Sequence, residues 1–133
     1  MYEYSCKVDR VVDGDTIDVV LDLGFDILYR SRVRLYGIDT PESRTRDLEE
    51  KAMGLEAKEY LKERLKKSSK IVIKTEKLDS TGKYGRILGW LFLDDETSSV
   101  NNQMIMKGYA WEYDGDTKDK DLQKLKDQRA LEL

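Results

Sequence analysis

Alternating apolar and polar residues in the first third of the chain predict β-strands. Residues 3–12 (EYSCKVDRVV) are rich in β-branched and aromatic side chains, and residues 16–23 (TIDVVLDL) follow an Asp-Gly turn signal. Residues 27–38 (ILYRSRVRLYGI) have a period of two, which puts their arginines on one face and Val33 and Leu35 on the other. The three segments together predict an antiparallel meander.

Apolar residues at helical spacing appear after the only proline, Pro41, which ends the third strand. Residues 43–53 fit neither a strand nor a helix, and a helix is predicted from about Gly54. Its apolar stripe is formed by Leu55, Leu61 and Leu65. Two further strands, a short helix and a charged C-terminal helix or tail are predicted at residues 70–78, 86–93, 98–108 and 118–133.

Five strands with a helix between the third and the fourth follow the element order of a Greek-key OB barrel. The predicted fold class is therefore α+β, mainly β, with a five-stranded barrel and about three flanking helices. The 133 residues suffice for one compact domain, predicted to span residues 1–133. Periodicity alone leaves other α+β arrangements open.

Composition excludes several kinds of catalytic and metal site, although it says little about the fold. The chain contains no histidine, which excludes a Ser-His-Asp triad, an imidazole base and a His-ligated metal. The single cysteine, Cys6, excludes an internal disulfide and a cysteine-based zinc site. A net charge of −3 argues weakly against a broad basic surface for nucleic acid and leaves a local basic cleft open.

Targeting signals are missing from the sequence as it stands. No stretch approaches the roughly 20 apolar residues that span a bilayer, and residues 1–4 lack the features of a signal peptide. We therefore expect no membrane association and a cytoplasmic protein, or a secreted one if a leader precedes this sequence in a longer precursor.

Carboxylates near the first strand turn are candidate metal ligands. Asp15 closes that turn, and Asp39 and Glu42 follow the third strand. In a meander, the first turn and the exit of the third strand lie at the same end of the sheet, where the carboxylates would repel one another without a cation. Hard oxygen ligands favour Ca²⁺ or Mg²⁺. Ordinary turn chemistry is the alternative that local sequence leaves open.

The quartet DGDT occurs twice, at residues 13–16 and 114–117. In the first copy, Asp13 is predicted to be structural, through hydrogen bonds within its own turn. The second copy precedes the charged tail, so Asp116 or Thr117 is predicted to cap the last helix. The two copies are therefore expected to have different roles.

Two arginines are candidate phosphate ligands. Arg34 lies on the third strand shortly before Asp39, and Arg86 opens the fifth strand after the sequence KYG. A guanidinium group binds phosphate oxygens through two parallel hydrogen bonds and remains charged at neutral pH. A solvated strand face is the alternative for Arg30, Arg32 and Arg34.

Taken in order, these motifs resemble the staphylococcal nuclease (thermonuclease) family. The resemblance covers roughly residues 5–131, and its most specific part is an arginine followed after four residues by DTPE. The segments that carry it are DGDT (13–16), RLYGIDTPE (34–42), GLEA (54–57) and KYGR (83–86).

The resemblance implies an OB barrel and a Ca²⁺ site. Asp15 and Asp39 are similar to the carboxylates that bind the metal in this family, and the backbone carbonyl of Thr40 is a further oxygen ligand. Glu42 resembles the residue that orients or deprotonates the attacking water. Arg34 and Arg86 resemble the phosphate clamp. Glu42, Arg34 and Arg86 would therefore be the catalytic residues.

The same resemblance implies the substrate and its contacts. Lys83 and Tyr84 are similar to residues that contact the phosphate and the nucleotide, and Tyr113 is a candidate for stacking on a base. The implied reaction is hydrolysis of DNA and RNA, with unpaired strands favoured, by a monomer that releases 3′-phosphates. Acidic residues in segment 112–121 depart from the family pattern and would repel phosphate. An inactive module that binds nucleic acid or a protein partner is the alternative.

Overall fold

The computed structural model of the chain describes residues 2–75, 86–115 and 120–132. Five of its strands close into a barrel in the order β1-β2-β3-β6-β5, and β4 and β7 form a separate two-stranded sheet. The elements are β1 (Tyr2–Asp13), β2 (Thr16–Asp22), β3 (Leu28–Leu35), β4 (Ile38–Asp39), α1 (Leu48–Lys67), β5 (Ile71–Thr75), β6 (Ile87–Leu93), α2 (Val100–Met106), β7 (Trp111–Glu112) and α3 (Leu122–Leu131).

The strand pairing is that of an OB barrel. Strand β1 is long enough to pair with two neighbours: its first residues lie antiparallel to β5 and the rest lie antiparallel to β2. Strand β2 continues antiparallel into β3, and β5 pairs antiparallel with β6. A parallel contact between β3 and β6 completes the circle. The predicted five-stranded α+β barrel with three flanking helices is confirmed.

The barrel interior contains the apolar residues that alternate along the strands. Val33 and Leu35 of β3 are buried, whereas the side chains of Arg30 and Arg32 point outward and pair with aspartates of β1 and β2. Arg34 departs from this pattern: it shares a strand face with the other two arginines but is only 9% exposed. It therefore does not belong to a solvated strand face.

Helix α1 begins at Leu48, six residues before the predicted start at Gly54. Asp47 is its N-cap, with a side-chain oxygen that accepts from the backbone N–H groups of Glu49 and Glu50. The predicted apolar stripe needs one correction, since Leu55 is 47% exposed while Leu61 and Leu65 are buried. Because the helix starts at Leu48, Met53 is part of it and belongs to its buried stripe.

Gly54 lies inside α1 because the helix passes very close to another part of the backbone there. A Cβ atom built on Gly54 would lie 2.6 Å from the carbonyl oxygen of Pro41 and 2.7 Å from the carbonyl carbon of Glu42. A glycine inside a helix ordinarily weakens it. Here it permits contact between α1 and the segment that follows β4, which explains why a glycine is no helix boundary at this position.

The C-terminal third packs through α2 against β6 and pairs through β7 with β4. Helix α2 is capped by Ser99, whose hydroxyl accepts from the backbone N–H of Asn102. Trp111 of β7 is buried with Met53 and Leu125, and its indole N–H donates to the backbone carbonyl of Asp121. Within the described residues, no helix is long and apolar enough to span a membrane.

The cap of α3 differs from the prediction. The helix begins at Leu122 and Asp121 is its N-cap, with a side chain that accepts from the N–H of Gln123. Asp116 and Thr117, the predicted caps, lie outside the described residues and are too far back along the chain to cap this helix. The aspartate closest to the first helical residue takes the role, as capping geometry requires.

Candidate active site

Two buried carboxylates lie at one end of the barrel, where the β1–β2 turn meets the exit of β3. Thr16 is paired with Arg34, so Asp15 lies beside the end of β3. A turn with Gly37 at φ +80° then reverses the chain into β4, which ends at Asp39. The predicted proximity of these two aspartates is therefore produced by the meander itself.

Arg34 joins the two carboxylates. Its Nη1 lies 2.9 Å from Oδ2 of Asp15, and its Nη2 lies 3.5 Å from Oδ1 of Asp39. Asp39 is only 2% exposed, and Asp15 and Arg34 are also buried. Buried charges are tolerated when they are paired, and a guanidinium can face two carboxylates at once. The three side chains form one buried charged cluster.

Hydroxyl groups hold the orientation of Asp15. Thr16 donates its hydroxyl to Oδ1 at 2.9 Å, while Thr40 directs its hydroxyl and its backbone N–H to Oδ2 at 3.2 and 3.3 Å. The backbone carbonyl of Asp15 accepts from the N–H of Leu35. Both threonines are buried. Asp15 is therefore fixed through its two side-chain oxygens and its backbone.

The donor atoms of this cluster suit a hard cation. Asp15, Asp39 and Thr40 offer only oxygen atoms, which Ca²⁺ and Mg²⁺ prefer. Across residues 2–75, 86–115 and 120–132, no group of three or more His, Cys, Asp or Glu side chains is arranged to hold a metal. The two aspartates thus fit an ion that completes its shell with backbone, water or substrate oxygens, as Ca²⁺ with its six to eight ligands does.

The second predicted arginine lies just before a neighbouring strand. Arg86 immediately precedes β6, whose first residue, Ile87, pairs with Val33 next to Arg34. The side chain of Arg86 is half-buried. Lys83 and Tyr84, the predicted phosphate and nucleotide contacts, lie outside the described residues.

Tyr113 lies beside Arg34. The carbon at the centre of the guanidinium is 5.7 Å from the centroid of the tyrosine ring, within the range of a cation–π contact. The backbone N–H of Tyr113 donates to the carbonyl of Gly37, which fixes the tyrosine at the turn between β3 and β4. A half-buried aromatic ring is thereby placed at the edge of the charged cluster.

Glu42 differs from the buried aspartates in being exposed. Its backbone N–H donates to Oε2 of Glu50 on α1 at 3.0 Å. Lys120 places its Nζ 3.8 Å from Oε1 of Glu42 and 3.6 Å from Oε2 of Glu50. Two carboxylates and one ammonium group therefore meet at Glu42, three residues after Asp39.

Asp13 also contacts this segment. Its Oδ1 accepts from the hydroxyl of Ser43 at 2.8 Å, so its side-chain bond leaves its own turn and reaches the residue after Glu42. Asp13 was predicted to form its hydrogen bond within its own turn, and this is wrong. Its partner is Ser43, because the chain after Pro41 lies over the turn.

Glu50 and Lys120 were not found from the sequence. Glu50 stands three residues after the cap Asp47, at the position of a capping-box glutamate, and that signal was available in segment 43–53. In the structure Thr45 accepts from the N–H of Asp47, and Glu50 accepts from Glu42 instead. No local pattern indicates the contact of Lys120.

Comparison with known proteins yields consistent relatives. The family of staphylococcal nuclease homologues matches residues 32–131. Endonuclease YhcR of Bacillus subtilis is 36% identical over 118 residues, covering 84% of this chain and 9% of that protein. Micrococcal nuclease of Shigella flexneri is 30% identical over 118 residues (84% of this chain, 59% of the relative). Thermonuclease of Staphylococcus intermedius is 36% identical over 96 residues (72% and 53%).

The chain spans less than two thirds of the length of each of these three relatives. The family match nevertheless covers most of this chain, from within β3 through α3. It includes the segment from Arg34 to Glu42 and the helix that packs against it. The resemblance inferred from the ordered motifs is thereby confirmed, and the chain belongs to the family of staphylococcal nuclease homologues.

Proposed function

We propose that this protein is a Ca²⁺-dependent nuclease that hydrolyses phosphodiester bonds in DNA and RNA and releases 3′-phosphate products. The observation that carries the proposal is the buried cluster in which Arg34 contacts Asp15 and Asp39. The proposal is also supported by relatives named endonuclease, micrococcal nuclease and thermonuclease. Residues 1–133 would act as a single domain and a monomer.

Asp15 and Asp39 would hold Ca²⁺, with the carbonyl of Thr40 as a further oxygen ligand. When bound, Ca²⁺ polarises a non-bridging phosphoryl oxygen and offsets the negative charge of the two carboxylates. The hydroxyl groups of Thr16 and Thr40 keep Asp15 in one orientation, which would reduce the reorganisation needed on binding.

Glu42 would orient the attacking water and accept its proton. The water oxygen forms a new bond to phosphorus while the bond from phosphorus to the 5′ oxygen breaks. The leaving oxygen takes a proton from solvent, so the elements of one water molecule are added across the broken bond and the phosphate remains on the 3′ side. The exposed position of Glu42 is compatible with access to both water and substrate.

Arg34 and Arg86 would stabilise the charge that grows on the phosphoryl oxygens in the transition state. In the structure Arg34 faces the carboxylates, so a bound phosphate would share the guanidinium with them or replace one of them. Loss of one such donor is expected to cost about 10²–10³ in rate, by analogy with oxyanion-hole donors.

Substrate contacts outside the reacting phosphate would come from Lys83, Tyr84 and Tyr113. The ring of Tyr113 lies beside Arg34, where a base could stack on it. Unpaired strands would be favoured because stacking needs an exposed base face. The acidic residues of segment 112–121 would repel the backbone and weaken binding, and this effect would decrease as salt is added.

Cleavage of a single-stranded DNA oligonucleotide tests the proposal. The parent protein is incubated with Ca²⁺ or with a chelator, beside Arg34→Ala and the matched variant Arg30→Ala, which removes an exposed arginine of the same strand. We expect Ca²⁺-dependent cleavage by the parent and by Arg30→Ala, and loss of about 10²–10³ in rate for Arg34→Ala.

Two results would count against the proposal. A parent protein that binds the oligonucleotide but never cleaves it would support the inactive binding module instead. Full cleavage by both Arg34→Ala and Arg86→Ala would leave a nuclease but remove the assigned mechanism.

A further inference from the structure

The segment that carries Glu42 is tied down on both sides. Before it, Thr40 donates two hydrogen bonds to Asp15, and after it, Ser43 donates one to Asp13. Both acceptors belong to the β1–β2 turn. The backbone around Glu42 is therefore anchored to the barrel. The Glu42 side chain itself is 53% exposed, and its ion pair within the described part of the chain is the 3.8 Å contact with Lys120.

The remaining anchor of this segment comes from α1. Glu50 accepts the backbone N–H of Glu42 at 3.0 Å, and its own side chain is only 17% exposed. A carboxylate acceptor makes this a charge-assisted hydrogen bond, and such bonds are typically stronger than those between neutral groups. The capping-box partner that Glu50 would ordinarily take, the N–H of Asp47, is bonded to Thr45.

We propose that Glu50 is a positioning residue for Glu42: its carboxylate fixes the Glu42 backbone and so sets where that side chain starts relative to Asp15 and Asp39. The proposal rests on the proposed function, in which Glu42 handles the attacking water. Misplacement of a reacting group by 1 Å can cost on the order of 10²-fold in rate. Glu50 could therefore affect the rate through the position of Glu42, without contacting the substrate itself.

Lys120 has a secondary part in this arrangement. Its Nζ lies near one oxygen of each glutamate, at 3.6 and 3.8 Å, which reduces the repulsion between the two carboxylates. The lysine is about half exposed, so water and salt screen the contact and such pairs typically contribute little. The backbone anchor, rather than the charge pair, is expected to dominate.

Three substitutions separate the anchor from the charge. Glu50→Ala removes both the acceptor for the Glu42 N–H and the partner of Lys120. Glu50→Gln removes the charge but keeps a side-chain carbonyl oxygen that can accept the same N–H. Lys120→Met removes only the ammonium group. Glu49→Ala is the matched control, because Glu49 lies in the same first turn and pairs with Lys126 on α3.

Steady-state kinetics with Ca²⁺ and single-stranded DNA give the readout. We expect Glu50→Ala to lower kcat by about 10- to 100-fold with KM changed by less than about 3-fold, since Glu42 is not placed in the phosphate clamp. Glu50→Gln, Lys120→Met and Glu49→Ala should each stay within about 3-fold of the parent kcat. Amide hydrogen exchange should speed up at Glu42 in Glu50→Ala and not in Glu50→Gln.

Different outcomes overturn different claims. If the parent shows no Ca²⁺-dependent cleavage, the proposed function fails and the role of Glu50 fails with it. If the parent is active but Glu50→Ala keeps its kcat, only the role of Glu50 is overturned. The role of the backbone hydrogen bond is also overturned if Glu50→Gln and Lys120→Met both lower kcat as much as Glu50→Ala does. Loss of charge would then account for the effect.

Discussion

The contact between Gly54 and the Pro41–Glu42 backbone yields the sharpest prediction for this fold. Gly54→Ala adds one methyl group to α1. That carbon would meet three backbone atoms, the Pro41 carbonyl oxygen at 2.6 Å and the Glu42 carbonyl carbon and oxygen at 2.7 and 2.8 Å. Backbone atoms cannot rotate aside as a flexible side chain can, so the helix or the segment must move.

Two opposing effects set the magnitude. Alanine favours a helix interior over glycine by about 1 kcal/mol. Overpacking typically costs about 1–3 kcal/mol, and the upper end applies because carbon contacts relax only near 3.5 Å, roughly 0.8 Å beyond the distances here. We expect Gly54→Ala to lower the free energy of unfolding by about 2 kcal/mol. The displacement of Glu42 should also lower kcat by about 10- to 100-fold.

Urea unfolding and oligonucleotide cleavage measure the two effects separately. Ala52→Gly is the matched control, because Ala52 is exposed on the same helix and the change there reports the helix-propensity term alone. It should cost about 1 kcal/mol and leave cleavage unchanged. A Gly54→Ala protein that is more stable than the parent and fully active would refute the reasoning, since it would show that the close approach is absent in solution.

Three further predictions concern charge and exposure. Arg34→Met removes the shared cation of two buried carboxylates and should lower the free energy of unfolding by about 3 kcal/mol without Ca²⁺, and by less with it, in urea titrations. The hydrogen bond from Arg32 lowers the pKa of Asp18, so the pair should add less than about 1 kcal/mol above pH 4, lost as pH falls through the folded pKa. Arg32→Met should raise that pKa in a carboxyl NMR titration. Burial raises the pKa of Cys6 to about 12, so a disulfide reagent at pH 8 should modify the folded protein far more slowly than the unfolded one.

The barrel could be predicted from the sequence because its strands alternate with a period of two. Residues 27–38 show this most clearly: Val33 and Leu35 enter the core, and Arg30 and Arg32 leave it. The same regularity placed Asp15 and Asp39 at one end. Hydrophobic periodicity and turn residues are local patterns of a few residues, so they can be recognised in a single sequence.

Contacts between distant segments could not be predicted in the same way. The helix was predicted to begin at about Gly54, whereas Asp47 caps it six residues earlier, and Gly54 lies inside it against the backbone of Pro41 and Glu42. Likewise, Arg34 is buried because two aspartates neutralise it, whereas its strand pattern alone is that of a solvated face. In both cases the tertiary environment reverses the local preference.

The residues of the candidate site are held by different parts of the fold. Arg34 lies on β3 within the barrel, and Asp15 lies in the turn that joins β1 to β2, where Thr40 also donates to it. Asp39 depends on β7 as well: it pairs with Trp111, whose ring is buried against α1 and α3. A loss of packing by α3 against Trp111 should therefore displace Asp39 more than Asp15. The C-terminal helix, although far from Arg34 in sequence, is for this reason part of what assembles the cluster.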